Sequence, residues 1–293
     1  MSRAPKPGEE GMILVNVLMF VAIAAGLVLL MINREELSLD RGLRVREATR
    51  AVSAMRGGEL SAIVALRRDA VQAPQEDYPA EGWGAITETG APIDGGTFDL
   101  AISDAEGRYN INNVRSGDVS ALLQFTAIAR SLGLEDAQIQ QAVAYVRLAG
   151  PISDLRPVSL AGLDAEALAR FNAMVTALPT DTTVNLNAAS EPLLAILFND
   201  ADVAHRLVEV RKRQGHLSPK DLLDANISLP WGTSFRSNSY WVRARATIGG
   251  TSQQEAVLIL RRKSEKGDVE AVPVARWRNA AIPAEAPAFG EKR

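Results

Sequence analysis

From Met12 to Ile32 the chain reads MILVNVLMFVAIAAGLVLLMI, twenty-one residues in which Asn16 is the single polar side chain. At about 1.5 Å of rise per residue, a helix of this length spans roughly 30 Å, the thickness of a bilayer's hydrocarbon core. The pattern predicts one transmembrane helix over 12–32. A cleaved secretory signal would be apolar over only about 7 to 15 residues and would end on small residues. Here Met31, Ile32, Asn33 and Arg34 close the run. Beyond it Val45, Ala48, Val52 and Met55 recur at steps of three and four between arginines and glutamates, so the helix is expected to continue as an amphipathic one. Gly57 and Gly58 interrupt that pattern, and Ile63, Leu66 and Ala70 extend it towards Pro74.

The stretch 75–96 is rich in glycine and proline and reads as a loop. The period then changes to two. In TFDLAIS, Phe98, Leu100 and Ile102 alternate with Asp99 and Ala101, DAEG reads as a turn, and RYNINN reads as the partner strand of a hairpin. A second hairpin is predicted from YWVRARATI (240–248), the turn GGTS, and QEAVLILRR (254–262). Between the two pairs the pattern is helical. One helix starts after Asp118 or Ser120 and ends near Gly133, a second ends at Gly150, and a third runs from a cap at Asp164 to Pro179. The result is an α+β chain: a core over 33–113 and 228–266, an all-helical insertion over 114–227, and a mobile tail over 267–293, where prolines, alanines and charges mix without a period.

Composition narrows the chemistry. Thirty-two basic and thirty-five acidic side chains leave a net charge of −3, too balanced for bulk electrostatic binding of nucleic acid. The chain has no cysteine and two histidines, His205 and His216, which excludes thiolate chemistry and a histidine-built metal cage. No nucleophile, base and orienter set, glycine-rich phosphate loop or metal-ligand cluster can be assembled, so no catalytic residue is assigned and an enzyme is not expected.

The segment VNLNAASEPLLAIL (184–197), then DVAHRLVEVRKRQG and HLSPKDLLDA, resembles a helix-hairpin-helix unit with its following helix. Ser190 with Pro192, and Ser218 with Pro219 and Asp221, read as helix starts. In DNA-binding members of that superfamily the hairpin is glycine-rich and aims backbone N–H groups at a phosphate. Here it reads FNDAD (198–202), with two carboxylates and no glycine. Arg206, Arg211, Lys212 and Arg213 form a basic stretch that a solvated helix face accounts for. A membrane-anchored DNA receptor is the alternative function, and no nucleic-acid partner is the expectation.

The leader MSRAPKPGEEG, ending in Gly11 directly before the apolar run, resembles a type IV prepilin signal. That resemblance implies a leader over 1–11, cleavage by a prepilin peptidase between Gly11 and Met12, and N-methylation of Met12. Most pilin-like subunits carry a glutamate five residues into the mature chain; the corresponding residue here is Asn16. Taken in order with DAEGRYNINN, VNLNAAS, HLSPKDLL and SNSYWVRARATI, these features resemble the general secretion pathway protein K family, the large minor pseudopilins of type II secretion.

The resemblance implies a pilin-like α/β core with a helical domain inserted into the sheet. It also implies a role in capping the pseudopilus tip and priming its assembly. The implied partners are the minor pseudopilins I and J, the major pseudopilin, the prepilin peptidase and the inner-membrane assembly platform. It places the chain in the inner membrane with its bulk in the periplasm, whereas Arg34, Arg41, Arg44, Arg46 and Arg50 after the span would by the positive-inside rule face the cytoplasm. Family members have been associated with calcium, but AYVRLAGPISD (144–154) holds one carboxylate where relatives carry an aspartate-rich stretch, and no cofactor is predicted. Asp94, Asp99, Asp104 and Glu106 read as turn and edge-strand residues.

Overall fold

The computed structural model describes residues 9–73, 75–153, 155–159 and 165–290. One helix, α1 (Glu9–Gln72), runs from the membrane segment into the globular body. It does not break at Gly57 and Gly58. Gly58 faces the sheet, where an added Cβ would meet the ring of Phe98 at 2.6 Å, so the glycine is there for close approach and not for a turn. Ala51, Met55, Ala62 and Leu66 line the same helical face and are buried.

The loop expected over 75–96 holds a strand, β1 (Glu88–Ile93), which pairs antiparallel with β2 (Gly96–Asp104). The hairpin expected between β2 and RYNINN does not form. Tyr109–Asn110 is β3, and after it come α2 (Val119–Ser131), α3 (Asp136–Ala149), the single turn α4 (Arg156–Ser159), α5 (Ala165–Met174) and β4 (Val175–Thr176). β3 pairs in parallel with β4, because the chain leaves the sheet at Asp104 and enters the helical domain. That pairing also ends the third helix at Met174, short of Pro179; its expected cap, Asp164, lies outside the described residues.

The chain continues through β5 (Val184–Asn185), α6 (Glu191–Phe198), α7 (Ala201–Gln214), α8 (Pro219–Asp224) and β6 (Thr233–Ser234), with β5 and β6 parallel. It returns to the sheet in β7 (Ser239–Ile248) and β8 (Thr251–Lys263), the predicted hairpin. The tail expected to be mobile instead supplies β9 (Val269–Arg278), paired antiparallel along β8. Without it β8 would expose a long apolar edge. The sheet order is β1-β2-β7-β8-β9, and its edge strands carry Pro92 and Pro273, residues that cannot donate to a further strand.

The sheet packs one face on α1. Tyr240, Val242, Ala244, Val257 and Ile259 close on Met55, Leu66 and Trp83. The opposite face, with Trp241, Ala256 and Leu258, is covered by Leu178 of the helical domain and by Ala286 of the C-terminal segment, where Phe289 lies against Arg243 and Arg245. A separate apolar core fills the helical domain around Phe125, Ile128, Phe171, Leu193 and Leu207.

Candidate functional site

Two places carry the features that bear on function: the apolar spine and the junction between sheet and helical domain. Along the spine, side chains from Leu14 to Ile32 are exposed, Asn16 among them, and the helix is long and apolar enough to cross a membrane. Gly11 and Met12 lie in its first turns; residues 1–8 of the leader lie outside the described residues. Within the globular body α1 turns Leu60, Val64 and Val71 away from the sheet, and all three are exposed.

The junction is built from the motifs DAEGRYNINN and VNLN. Their alternation buries Ile111 and Leu186 on one side and asparagines on the other. Asn112 donates to the carbonyls of Ile152 and Leu178, each at 2.8 Å, and accepts from the amide of Ile152 at 3.0 Å. Asn110 accepts from the amide of Leu178 and donates to Thr180, Asn113 does the same within Thr182, and Asn187 brackets Leu217. A buried amide that both donates and accepts replaces a strand ladder, so irregular connections can be buried without orphaned backbone groups. The signal was present as N-x-N spacing within strand-like alternation.

Asp104 and Glu106 are not turn residues at a hairpin. Glu106 is 1% exposed and accepts from the amide of Asn238 at 3.0 Å. Asp104 keeps part of its surface accessible, but its carboxylate is enclosed by the Ser237 hydroxyl at 2.6 Å, the Asn185 amide at 2.7 Å and the backbone N–H of Glu106 at 2.7 Å. Asp99, also buried, pairs with Arg245 and accepts from Gly90, while Asp94 is the exposed turn residue expected.

The described residues also bring Asp69, Asp77 and Glu81 together, with carboxylate oxygens within 4.8 Å of one another. Arg261 fills that space: its guanidinium donates to Asp69 at 3.1 Å and to Asp77 at 2.6 Å, and Tyr240 donates to Asp77 at 2.8 Å. A hard cation needing six to eight oxygen ligands does not fit where a guanidinium already sits. In the 144–154 stretch Ile152 is bonded to Asn112, and Asp154 lies outside the described residues.

The helix-hairpin-helix geometry is formed by α6 and α7, with Asn199 in the left-handed conformation between them. The Asp200 carboxylate accepts from the amides of Asp202 and Val203, so the N–H groups a phosphate would need are already bonded. Ser190 stands at the start of α6, but its hydroxyl has no partner, whereas Asp221 does accept from the Ser218 amide at 2.8 Å. In the basic stretch Arg211 turns inward to the carbonyls of Leu186 and Ala189, Lys212 pairs with Glu209, and Arg206 and Arg213 are exposed. His205 bonds Glu191, and His216 stacks on Tyr78.

A membrane-anchored helix packed on an antiparallel sheet, with a helical domain inserted between two adjacent strands, defines a pilin-like protein with an enlarged head. No protein-family model matches the chain. It is 26% identical to type II secretion system protein K of Pseudomonas aeruginosa, over 88% of this chain and 91% of that protein. It is 25% identical to the protein of the same name from Klebsiella pneumoniae, over 77% of each. Its fold matches a chain of the GspK-GspI-GspJ complex from the type 2 secretion system of enterotoxigenic Escherichia coli with a TM-score of 0.64 and 17% identity, covering 82% of this chain and 99% of that one. The chain is thus a relative of type II secretion system protein K, the minor-pseudopilin family that its motifs resemble.

Proposed function

We propose that this protein caps the tip of a type II secretion pseudopilus and primes its assembly for protein export across the outer membrane. One observation carries the reading: the helical domain is inserted where the chain crosses from β2 to β7, at the end of the sheet and beside the end of the spine. A bulky domain there leaves no room for a further subunit above, so the protein suits the end of a fibre and not its body. Asn16 agrees with that place, because a terminal subunit has no neighbour above whose N-terminal amine needs a carboxylate. The exposed Leu60, Val64 and Val71 offer α1 an apolar face for the spines of minor pseudopilins I and J, the partners named for the structurally similar chain. The major pseudopilin would follow below, with the assembly platform at the inner membrane. The asparagine clamps hold the head in shape without chemistry, in keeping with a structural and not a catalytic part.

Before assembly the protein would sit in the inner membrane with its head in the periplasm, cut by a prepilin peptidase between Gly11 and Met12 and methylated at Met12. Mass spectrometry of protein from a host with that peptidase should find the N-terminus at Met12, and an intact Met1 terminus would overturn the processing. A periplasm-dependent reporter fused after Arg293 decides the orientation that the arginines contest. Cross-linking in assembled fibres should join this head to I and J only near one end; its recovery along the whole fibre would sink the tip assignment.

A further inference from the structure

Both crossings between the sheet and the helical domain pass through one group of acids. The outgoing crossing, 104–109, contains Asp104 and Glu106; the returning one, 234–240, supplies the Ser237 hydroxyl and the Asn238 amide that hold them. Asp77, from the connection after α1, reaches the same returning crossing: it accepts from the Ser237 amide at 2.9 Å and from the Tyr240 hydroxyl at 2.8 Å. Asp69 and Glu81 stand beside it, and Tyr78 bonds Glu81 through its backbone N–H. On the far side of Glu106 an open hollow is lined by Asp118 and Asp181, two more acids.

Cations are few. Arg261 is committed to Asp69 and Asp77, Arg236 lies 3.9 Å from Asp77 with much of its side chain in solvent, and Arg108 turns to the carbonyl of Glu285. Buried carboxylates this close together, with one buried guanidinium among them, cannot all be ionised. Burial, then the neighbouring Asp104 charge, pushes Glu106 up to about 8. Burial pushes Asp104 up to about 6, and burial together with Glu81 and Asp77 pushes Asp69 up to about 7. Burial likewise raises Glu81.

We propose that this group is a proton-held hinge, in which a proton on Glu106, buried beside the Asp104 carboxylate, keeps the helical domain docked on the sheet and its loss frees both crossings together. The direction follows from linkage. Carboxyls raised above their ordinary range favour the docked state below that range, and the advantage is lost as pH climbs to the raised values. For one such group the opening equilibrium rises about tenfold per pH unit between roughly pH 5 and pH 8 and then levels. The middle of the spine and sheet, over 51–66 and 244–258, is closed by apolar contacts, and its buried acids Glu59 and Glu255 are each paired with an arginine.

Hydrogen exchange of the full chain in detergent micelles, corrected for intrinsic rates, tests this. Between about pH 5.5 and pH 8.5, segments 104–113 and 232–240 should lose protection about a hundredfold or more, while 51–66 and 244–258 hold theirs. Glu106→Gln, which mimics the protonated side chain, should keep the acid-side protection and flatten the pH response. Equal loss in both sets of segments, no loss in the crossings, or an unchanged slope in Glu106→Gln would each overturn the hinge. Should that variant fail to fold, infrared spectra of the unaltered protein decide: a protonated carboxyl band must be present at neutral pH and fade between about pH 7 and pH 9, and its absence at neutral pH overturns the proposal.

Discussion

The helical domain and the spine–sheet core bury comparable apolar side chains but handle buried polar groups differently. In the helical domain the interior polar groups are amides: Asn110, Asn112 and Asn187 each donate and accept within a connection. In the core they are ions, with Glu59 paired to Arg276, Glu255 to Arg278, Asp99 to Arg245, and Asp77 to Arg261. A neutral amide is satisfied at any pH, and what its loss costs, the groups it leaves orphaned included, does not change with pH. An ion is secure only while its partner stays, because the partner left behind is a buried charge. The difference teaches where sensitivity lies. The head can change with pH where acids outnumber cations, at the junction, and not within the asparagine clamps.

Three substitutions break or sharpen that contrast, in decreasing order of effect. Phe125→Ala should cost the helical domain about 3–5 kcal/mol, because the ring is fully buried at the centre of its core. Urea unfolding followed by segment-resolved exchange should show the helical domain opening first; simultaneous loss of the sheet would mean that the two cores act as one unit. Arg261→Met should cost about 3 kcal/mol above the raised carboxyl range and visibly less in acid, where Asp69 and its neighbours take up protons instead of leaving charge buried. A pH-independent drop in thermal midpoint would contradict the charge accounting. Asn112→Ala should cost about 2 kcal/mol by orphaning groups of Ile152 and Leu178, and the same amount at every pH. A pH-dependent loss would place the clamp inside the junction's charge network.

Local signals were readable wherever the partner lay nearby. The apolar run, the β7–β8 hairpin with Gly249 turning at φ +57°, the α6–α7 hairpin and the Ser218–Asp221 helix start all follow from residues within a few positions of one another. The fold class, with its spine, small antiparallel sheet and inserted helices, followed from the same signals. Three features did not. RYNINN alternates as a hairpin strand would, yet Tyr109 pairs with Val175 across the helical domain. The segment Val269–Arg278 mixes proline, alanine and charge, and becomes a strand because β8 offers it an edge. Glu106 sits in a turn-like sequence and is buried by Asn238, a residue from the far side of the insertion.

By itself, then, the sequence determined the membrane spine, the hairpins and helix starts, and the presence of a helical block between strands, because hydrophobic period, caps and turn residues act over a few positions. Tertiary structure alone decided which strands meet, how the asparagines close the connections, and which carboxyls are buried beside one another. Strand pairing and desolvation depend on neighbours that are distant in sequence, and those neighbours exist only once the chain has returned from the insertion to the sheet.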